Sequence, residues 1–172
     1  MRISKVQQGV ITQNEFAKLL MLASDGRIEL NPPKSDDERR DFELHLKGRF
    51  GRSLSIQSKS ALQLFQPKKG RAKLVIPINK MRRRPRASAS FYYFLAWFDP
   101  AVMRFRDPVF LVPSIALHRM ARLRQTGRYW HLTFNASLDP TSHDKWAAYQ
   151  VRQRDLGRRV LRLLAGKNAK FV

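Results

Sequence analysis

The sequence has no cysteine among its 172 residues. Disulfides, thiolate zinc sites and cysteine nucleophiles are therefore excluded, as is usual in a reducing compartment. Long apolar runs are also missing, because the longest, residues 91–98, is far shorter than the roughly 20 residues that cross a bilayer. The first residues likewise lack the apolar stretch of a secretory signal. We expect a cytoplasmic protein with no membrane partner.

Acidic residues are scarce relative to basic ones. The chain has 34 Lys and Arg against 13 Asp and Glu, a formal net charge of +21. A surface this basic binds nucleic acid through counterion release, so nucleic acid is the expected partner, with DNA favoured over RNA. The alternative from charge alone is a basic fold that binds nothing.

Several catalytic signatures are absent from the sequence. There is no Gly-x-Ser-x-Gly elbow and no glycine-rich phosphate loop, so serine hydrolase, ATP and nicotinamide chemistry are unsupported. The four histidines are scattered, and no two have the spacing of metal ligands on a helix.

The order of the predicted elements favours one α/β domain over residues 1–172. Thr12 is predicted to cap a first helix, with Glu15 at the capping-box position. The continuous apolar run 91–98 predicts a central strand covered on both faces. Residues 146–164 are predicted to form one long helix with arginines opposite an apolar side. Shorter strands are expected at residues 73–78, 103–106, 108–112 and 129–135, and residues 27–30 are either a short strand or an extended entry. Ser114 is predicted to cap a helix through Leu117, Met120 and Leu123.

Residues 81–90 combine four arginines with alternating Ala and Ser. This stretch is too polar and too poor in large apolar side chains to pack, so we expect a flexible basic loop within the domain.

The most informative segment is residues 41–59, which alternates like two strands of a hairpin joined by a turn at residues 47–52. On the first strand Phe42, Leu44 and Leu46 share one face, while Asp41, Glu43 and His45 share the other. On the second strand Leu54, Ile56 and Ser58 share one face, while Ser55, Gln57 and Lys59 share the other. If the strands pair, acidic side chains lie beside a Gln and a Lys. The pattern indicates a metal and phosphate site.

The set Asp41, Gln57-x-Lys59 and the upstream Glu15 resembles the PD-(D/E)XK superfamily of restriction-endonuclease-like nucleases. In that superfamily a strand begins with a metal-binding Asp, and the next strand carries an acid or Gln two residues before a Lys. In motif terms the resemblance covers about residues 12–60. It implies a restriction-endonuclease-like α/β fold, with a central mixed β-sheet flanked by helices.

The resemblance also implies a role for each site residue. Asp41 would hold Mg²⁺ or Mn²⁺, Gln57 would contribute its side-chain oxygen, and Lys59 would position or polarise the attacking water. Glu15 would add a carboxylate. The sequence departs from the commonest pattern because Gln57 replaces an acid and no proline precedes Asp41. Glu43 is an alternative metal ligand, since it lies on the same face as Asp41.

Basic residues in two loops and the last helix are expected to contact phosphates without reading bases. They are Lys68, Lys69, Arg71, Arg82, Arg83, Arg84, Arg86, Arg158 and Arg159. The expected function is that of a metal-dependent endonuclease hydrolysing DNA phosphodiester bonds. The alternative is a non-catalytic basic nucleic-acid-binding protein, either a degenerate nuclease fold or an RNA-associated domain. A homodimer is an open option, because a duplex has two strands to cut.

Overall fold

A computed structural model describes residues 3–33, 40–68 and 70–166, apart from the side chains of Phe50 and Lys80. Its three helices are α1 (Lys5–Ala23), α2 (Ser114–Met120) and α3 (Gln153–Leu164). Within the described ranges a 3₁₀ turn covers Ala147–Tyr149. The strands are β1 (Ile28–Asn31), β2 (Phe42–Leu46), β3 (Arg49–Ala61), β4 (Lys73–Met81), β5 (Phe91–Asp99), β6 (Arg104–Phe105), β7 (Val109–Pro113), β8 (Arg124–Thr126), β9 (Tyr129–Ser137) and β10 (Gln150–Val151). No helix of the described residues is long and apolar enough to cross a membrane.

The larger sheet is mixed and has the strand order β1-β2-β3-β5-β7-β10, with β6 added to β5. β3 and β5 run parallel, while the other pairs are antiparallel. The predicted hairpin is present as β2 and β3, with Glu43 opposite Ser55 and Leu44 opposite Leu54. A smaller antiparallel sheet has the order β4-β9-β8.

The larger sheet lies between two other layers. Helices α1 and α3 cover one face, where Phe16, Leu20 and Val160 pack on the side chains of Ile56 and Phe94. The smaller sheet and α2 cover the other face, where the second cluster includes Ile76, Leu117, Phe134 and Trp146. The fold class is α/β with a central mixed sheet flanked by helices, as the sequence predicted.

β5 lies in the middle of the larger sheet between β3 and β7. Its residues contribute alternately to the two clusters, with Tyr92 and Phe94 in one and Tyr93 and Leu95 in the other. Burial on both faces explains why residues 91–98 read as an unbroken apolar run. The predicted central strand is therefore confirmed.

The predicted start of the first helix was wrong. The helix begins at Lys5, and Ser4 and Gln7 form a reciprocal capping box. Thr12 is buried inside α1, and its hydroxyl donates a hydrogen bond to the carbonyl of Gln8 at 2.9 Å. Glu15 therefore does not have a capping role, because the helix already extends well before it.

The predicted helix 146–164 was too long, because it begins only at Gln153. Trp146 is completely buried and its ring lies 4.9 Å from the Phe134 ring. It therefore anchors the chain to the smaller sheet, which directs Gln150–Val151 into the edge of the larger sheet beside β7. The carboxylate of Asp107 then accepts a 2.8 Å hydrogen bond from the backbone N–H of Gln153 at the helix start.

Residues 82–90 connect β4 to β5 without a helix or strand. The segment is attached to α2 at Ser88, whose backbone N–H donates to the hydroxyl of Ser114 while that hydroxyl donates to the Ser88 carbonyl, both at 3.0 Å. Ser114 therefore does not cap α2, since Pro113 occupies the N-cap position.

Candidate functional site

Asp41 immediately precedes β2 and is fixed against β3 through its backbone and its side chain. Its backbone N–H donates to the Ile56 carbonyl at 2.8 Å. Its carboxylate Oδ2 accepts a 2.7 Å hydrogen bond from the backbone N–H of Ser58. Because both partners belong to the neighbouring strand, the acid is held at the point where β2 and β3 meet.

Lys59 lies beside this carboxylate. Its Nζ is 3.8 Å from the same Oδ2 of Asp41, and the two side chains are 35% and 14% exposed. An ion pair that is partly withdrawn from water keeps more of its Coulomb attraction than one on the surface.

Gln57 belongs to β3 and shares a face of that strand with Lys59. It is only 4% exposed, and its side-chain amide makes no hydrogen bond with any residue that the structure describes. The hydroxyl of Ser58 is also buried without a partner in that part of the chain. The Ser58 side chain lies on the face of β3 that carries Leu54 and Ile56 and packs on the helices, opposite to the face of Gln57 and Lys59, so its hydroxyl does not belong to the candidate site.

The two other candidate carboxylates have different surroundings. Glu43 lies along β2 with its Oε1 3.9 Å from Nη1 of Arg40, and that same nitrogen donates to the Ser55 hydroxyl at 3.0 Å. Glu15 forms an ion pair with Lys18 on α1. It makes no hydrogen bond or ion pair with Asp41, Gln57 or Lys59.

The donor set fits a hard divalent cation. Within residues 3–33, 40–68 and 70–166 no three His, Cys, Asp or Glu side chains form a metal-binding group. Mg²⁺ nevertheless takes only one or two protein carboxylates and retains several waters. The Asp41 carboxylate and the amide oxygen of Gln57 are of the right type, and the metal-binding roles of Glu15 and Glu43 stay predictions.

The basic residues expected to contact phosphates lie in three places. Lys68 and Arg71 precede β4, and Arg71 forms an ion pair with Asp139. Lys69 lies outside the described residues. Arg82, Arg83, Arg84 and Arg86 follow β4, and the guanidinium of Arg84 is 5.3 Å from the centre of the Trp130 ring.

The third place is a groove of about 420 Å³ between β10 and α3. Arg158 and Arg159 line it together with Arg152, Arg162 and one acid, Asp155. Burial lowers the pKa of Arg159, and repulsion from Arg162 acts in the same direction. Four guanidinium groups against one carboxylate make this groove attractive to phosphate.

Comparisons with known proteins bear on the fold. The chain is similar to the solved structure of a bacterial homing endonuclease, I-Ssp6803I, with a TM-score of 0.56 and 16% sequence identity. The similarity covers 98% of this chain and 100% of that one. No protein-family model and no curated protein matches the chain. The α/β fold of this chain is therefore one that a nuclease also uses.

Sequence reasoning missed Arg40 and Ser58 as parts of the site. Ser58 acts through its backbone N–H, which no side-chain pattern reveals. Arg40 precedes the alternating stretch, so its position beside Glu43 and Ser55 depends on strand pairing that the sequence does not display.

Proposed function

We propose that the protein is a metal-dependent endonuclease that hydrolyses DNA phosphodiester bonds, with a site of the PD-(D/E)XK type in its Gln-x-Lys form. The observation that carries the proposal is the position of the Asp41 carboxylate. The carboxylate accepts a hydrogen bond from the Ser58 N–H, lies 3.8 Å from the Lys59 ammonium, and belongs to a residue whose backbone is bonded to β3, the strand that also carries Gln57. The fold shared with a homing endonuclease supports the same chemistry.

In this proposal Asp41 and Gln57 hold Mg²⁺ or Mn²⁺, with Glu15 and Glu43 as further candidate ligands. The metal supplies charge neutralisation at the scissile phosphate and a lowered pKa for a bound water. The Ser58 N–H keeps the Asp41 carboxylate in one orientation. Lys59 orients the attacking water and stabilises the negative charge that develops on the phosphate oxygens.

The substrate assignment depends on charge and on the neighbour. A net charge of +21 and the groove of arginines beside α3 favour a polyanion. The similar structure belongs to a homing endonuclease, so we propose DNA as that polyanion.

The proposal is tested by incubating purified protein with plasmid and single-stranded DNA in Mg²⁺ or Mn²⁺. We expect cleavage by the parent and a loss of about 10²–10³-fold in Lys59→Ala, the size seen when a group that stabilises transition-state charge is removed. The matched control is Lys5→Ala, which removes an exposed lysine at the start of α1. Intact DNA under conditions where the parent binds it, or full activity in Lys59→Ala, would contradict the proposal.

The rival function is that of a non-catalytic basic nucleic-acid-binding protein. One observation favours it: among the described residues no three acidic or histidine side chains converge on a metal position. Calorimetric titration with Mn²⁺ separates the two functions. A nuclease should bind the ion and lose that binding in Asp41→Ala, whereas a purely binding protein should show no Mn²⁺ heat in either form.

A further inference from the structure

The smaller sheet has two faces of different chemistry. Its inner face is apolar and buried, with Leu74, Ile76, Ile78, Leu132, Phe134 and Ala136 in one cluster. On the outer face, Thr133 and Asn135 of β9 and Lys73 of β4 are exposed. The three residues share this face but are spread along it, because Lys73 lies opposite Ser137, Asn135 opposite Val75 and Thr133 opposite Pro77.

The outer face differs from an ordinary solvated sheet face in charge. Strands β4, β8 and β9 contain no Asp or Glu, although they contain Lys73 and Arg124. A solvated face usually mixes both signs of charge. The side chains of Thr133 and Asn135 make no hydrogen bond with any residue that the structure describes, so their donors and acceptors point to solvent.

The dimensions of this sheet fit a DNA major groove. β8 pairs only with residues 129–131 of β9, so from Leu132 to Ser137 the sheet is a two-stranded ribbon of β4 and β9. A groove about 12 Å wide accepts a two-stranded ribbon. Six paired residues extend over roughly 17 Å, about the length of five base pairs at about 3.4 Å each.

Basic residues lie at both ends of the ribbon. Lys68 and Arg71 precede its Lys73 end, where Arg71 also forms an ion pair with Asp139. At the other end are Arg82, Arg84 and Arg128, which follow β4 or precede β9. Phosphate contacts fix the position of a protein on a duplex while base contacts specify sequence. An uncharged centre between basic ends, with Thr133 and Asn135 opposite Pro77 and Val75, has the layout of a base-reading element.

We propose that the β4–β9 ribbon enters the major groove of duplex DNA and reads about five base pairs, chiefly with Asn135 and Thr133. The inference depends on the proposed action on DNA and assigns the recognition element of that function. Asparagine pairs in a bidentate manner with adenine, and threonine contacts the thymine methyl or a base-edge acceptor. Duplex DNA is the proposed ligand and A-form RNA is not, because the major groove of A-form RNA is too narrow for side chains to reach the bases.

The test is selection from a library of duplexes with a randomised segment, carried out in EDTA so that binding is read without cleavage. The parent should enrich a motif of about five base pairs. In Asn135→Ala, discrimination at one adenine position should fall by roughly tenfold to a hundredfold, as expected for the loss of one bidentate contact. Asn14→Ala, which truncates an exposed asparagine on α1, is the matched control and should keep the parental motif.

A second variant separates reading from positioning. Replacing Arg82 and Arg84 together by Gln should weaken binding to all sequences by a similar factor and leave the motif unchanged. The inference is overturned if the parent enriches no motif, if both Asn135→Ala and Thr133→Ala keep the parental motif, or if RNA hairpins are enriched over duplex DNA. These failures leave cleavage by the Asp41 site unaffected, whereas failure of the proposed function appears in the cleavage assay alone.

Discussion

Gly157 on α3 gives the sharpest prediction about the scaffold that carries the site. A Cβ added there would lie 1.9 Å from the carbonyl oxygen of Ala23 and 2.6 Å from the backbone N of Ser24. Both atoms are backbone at the end of α1, so no side-chain rotation relieves the clash. Helices α1 and α3 would have to separate by about 1 Å or more in an otherwise close-packed layer.

Gly157→Ala should therefore destabilise the protein although alanine is the better helix former. Overpacking of this kind costs about 3 kcal/mol or more, and the helix propensity gain returns about 1 kcal/mol, leaving about 2 kcal/mol of net destabilisation. For a chain of this size that lowers the Tm by about 4–8 °C. Urea and thermal unfolding followed by circular dichroism measure both quantities.

The matched control is Gly9→Ala on α1, where an added Cβ meets no atom within 4 Å. It should raise the unfolding free energy by about 0.5–1 kcal/mol through helix propensity alone. A Gly157→Ala variant as stable as the parent, or stabilised as much as Gly9→Ala, would refute the close approach of α1 and α3.

Three further predictions concern binding, metal and pH. Arg158 lies in the groove beside α3, and its guanidinium is expected to contact a phosphate. Arg158→Gln should therefore reduce the slope of log affinity for DNA against log salt concentration by about one. An unchanged slope would show that this groove does not contact DNA. Gln57→Glu adds a carboxylate to the candidate metal site and should lower the Mg²⁺ concentration that gives half-maximal cleavage, and an unchanged or higher value would argue against Gln57 as a ligand. Burial, with repulsion from Arg84, lowers the pKa of His118 in the folded protein. The neutral imidazole therefore stabilises the fold above the ordinary pKa of about 6.5, and this stabilisation is lost as pH falls through the lower pKa of the folded state. The parent should lose more unfolding free energy than His118→Asn in denaturant titrations between pH 7.5 and 5, and equal losses would contradict this.

Local alternation predicted the fold well wherever a strand has one buried face. Leu44 and Ile56 are both fully buried on the helix side of the larger sheet, as their spacing requires. The same logic failed for Trp146, because an apolar residue before a helix looks like part of the helical stripe. Its true contact is Phe134 in a distant strand, which local spacing does not encode.

The candidate site was predicted in part. Alternation correctly placed Asp41 beside the Gln57-x-Lys59 strand, because hairpin pairing is local. The burial of Gln57 was not predicted, because alternation alone does not show that both faces of the larger sheet are covered by other layers of the fold. Glu15 was assigned to the site through the family resemblance, and that role stays a prediction; in the structure its carboxylate forms an ion pair with Lys18.

The most direct measurement is an anomalous diffraction map of crystals soaked in Mn²⁺. We expect a peak about 2.0–2.3 Å from a carboxylate oxygen of Asp41 and from the amide oxygen of Gln57, with the Lys59 ammonium close to the waters of the ion. A map with no peak at Asp41 at saturating Mn²⁺, or with the ion bound elsewhere on the fold, would contradict the assignment of a metal-dependent nuclease site to these residues.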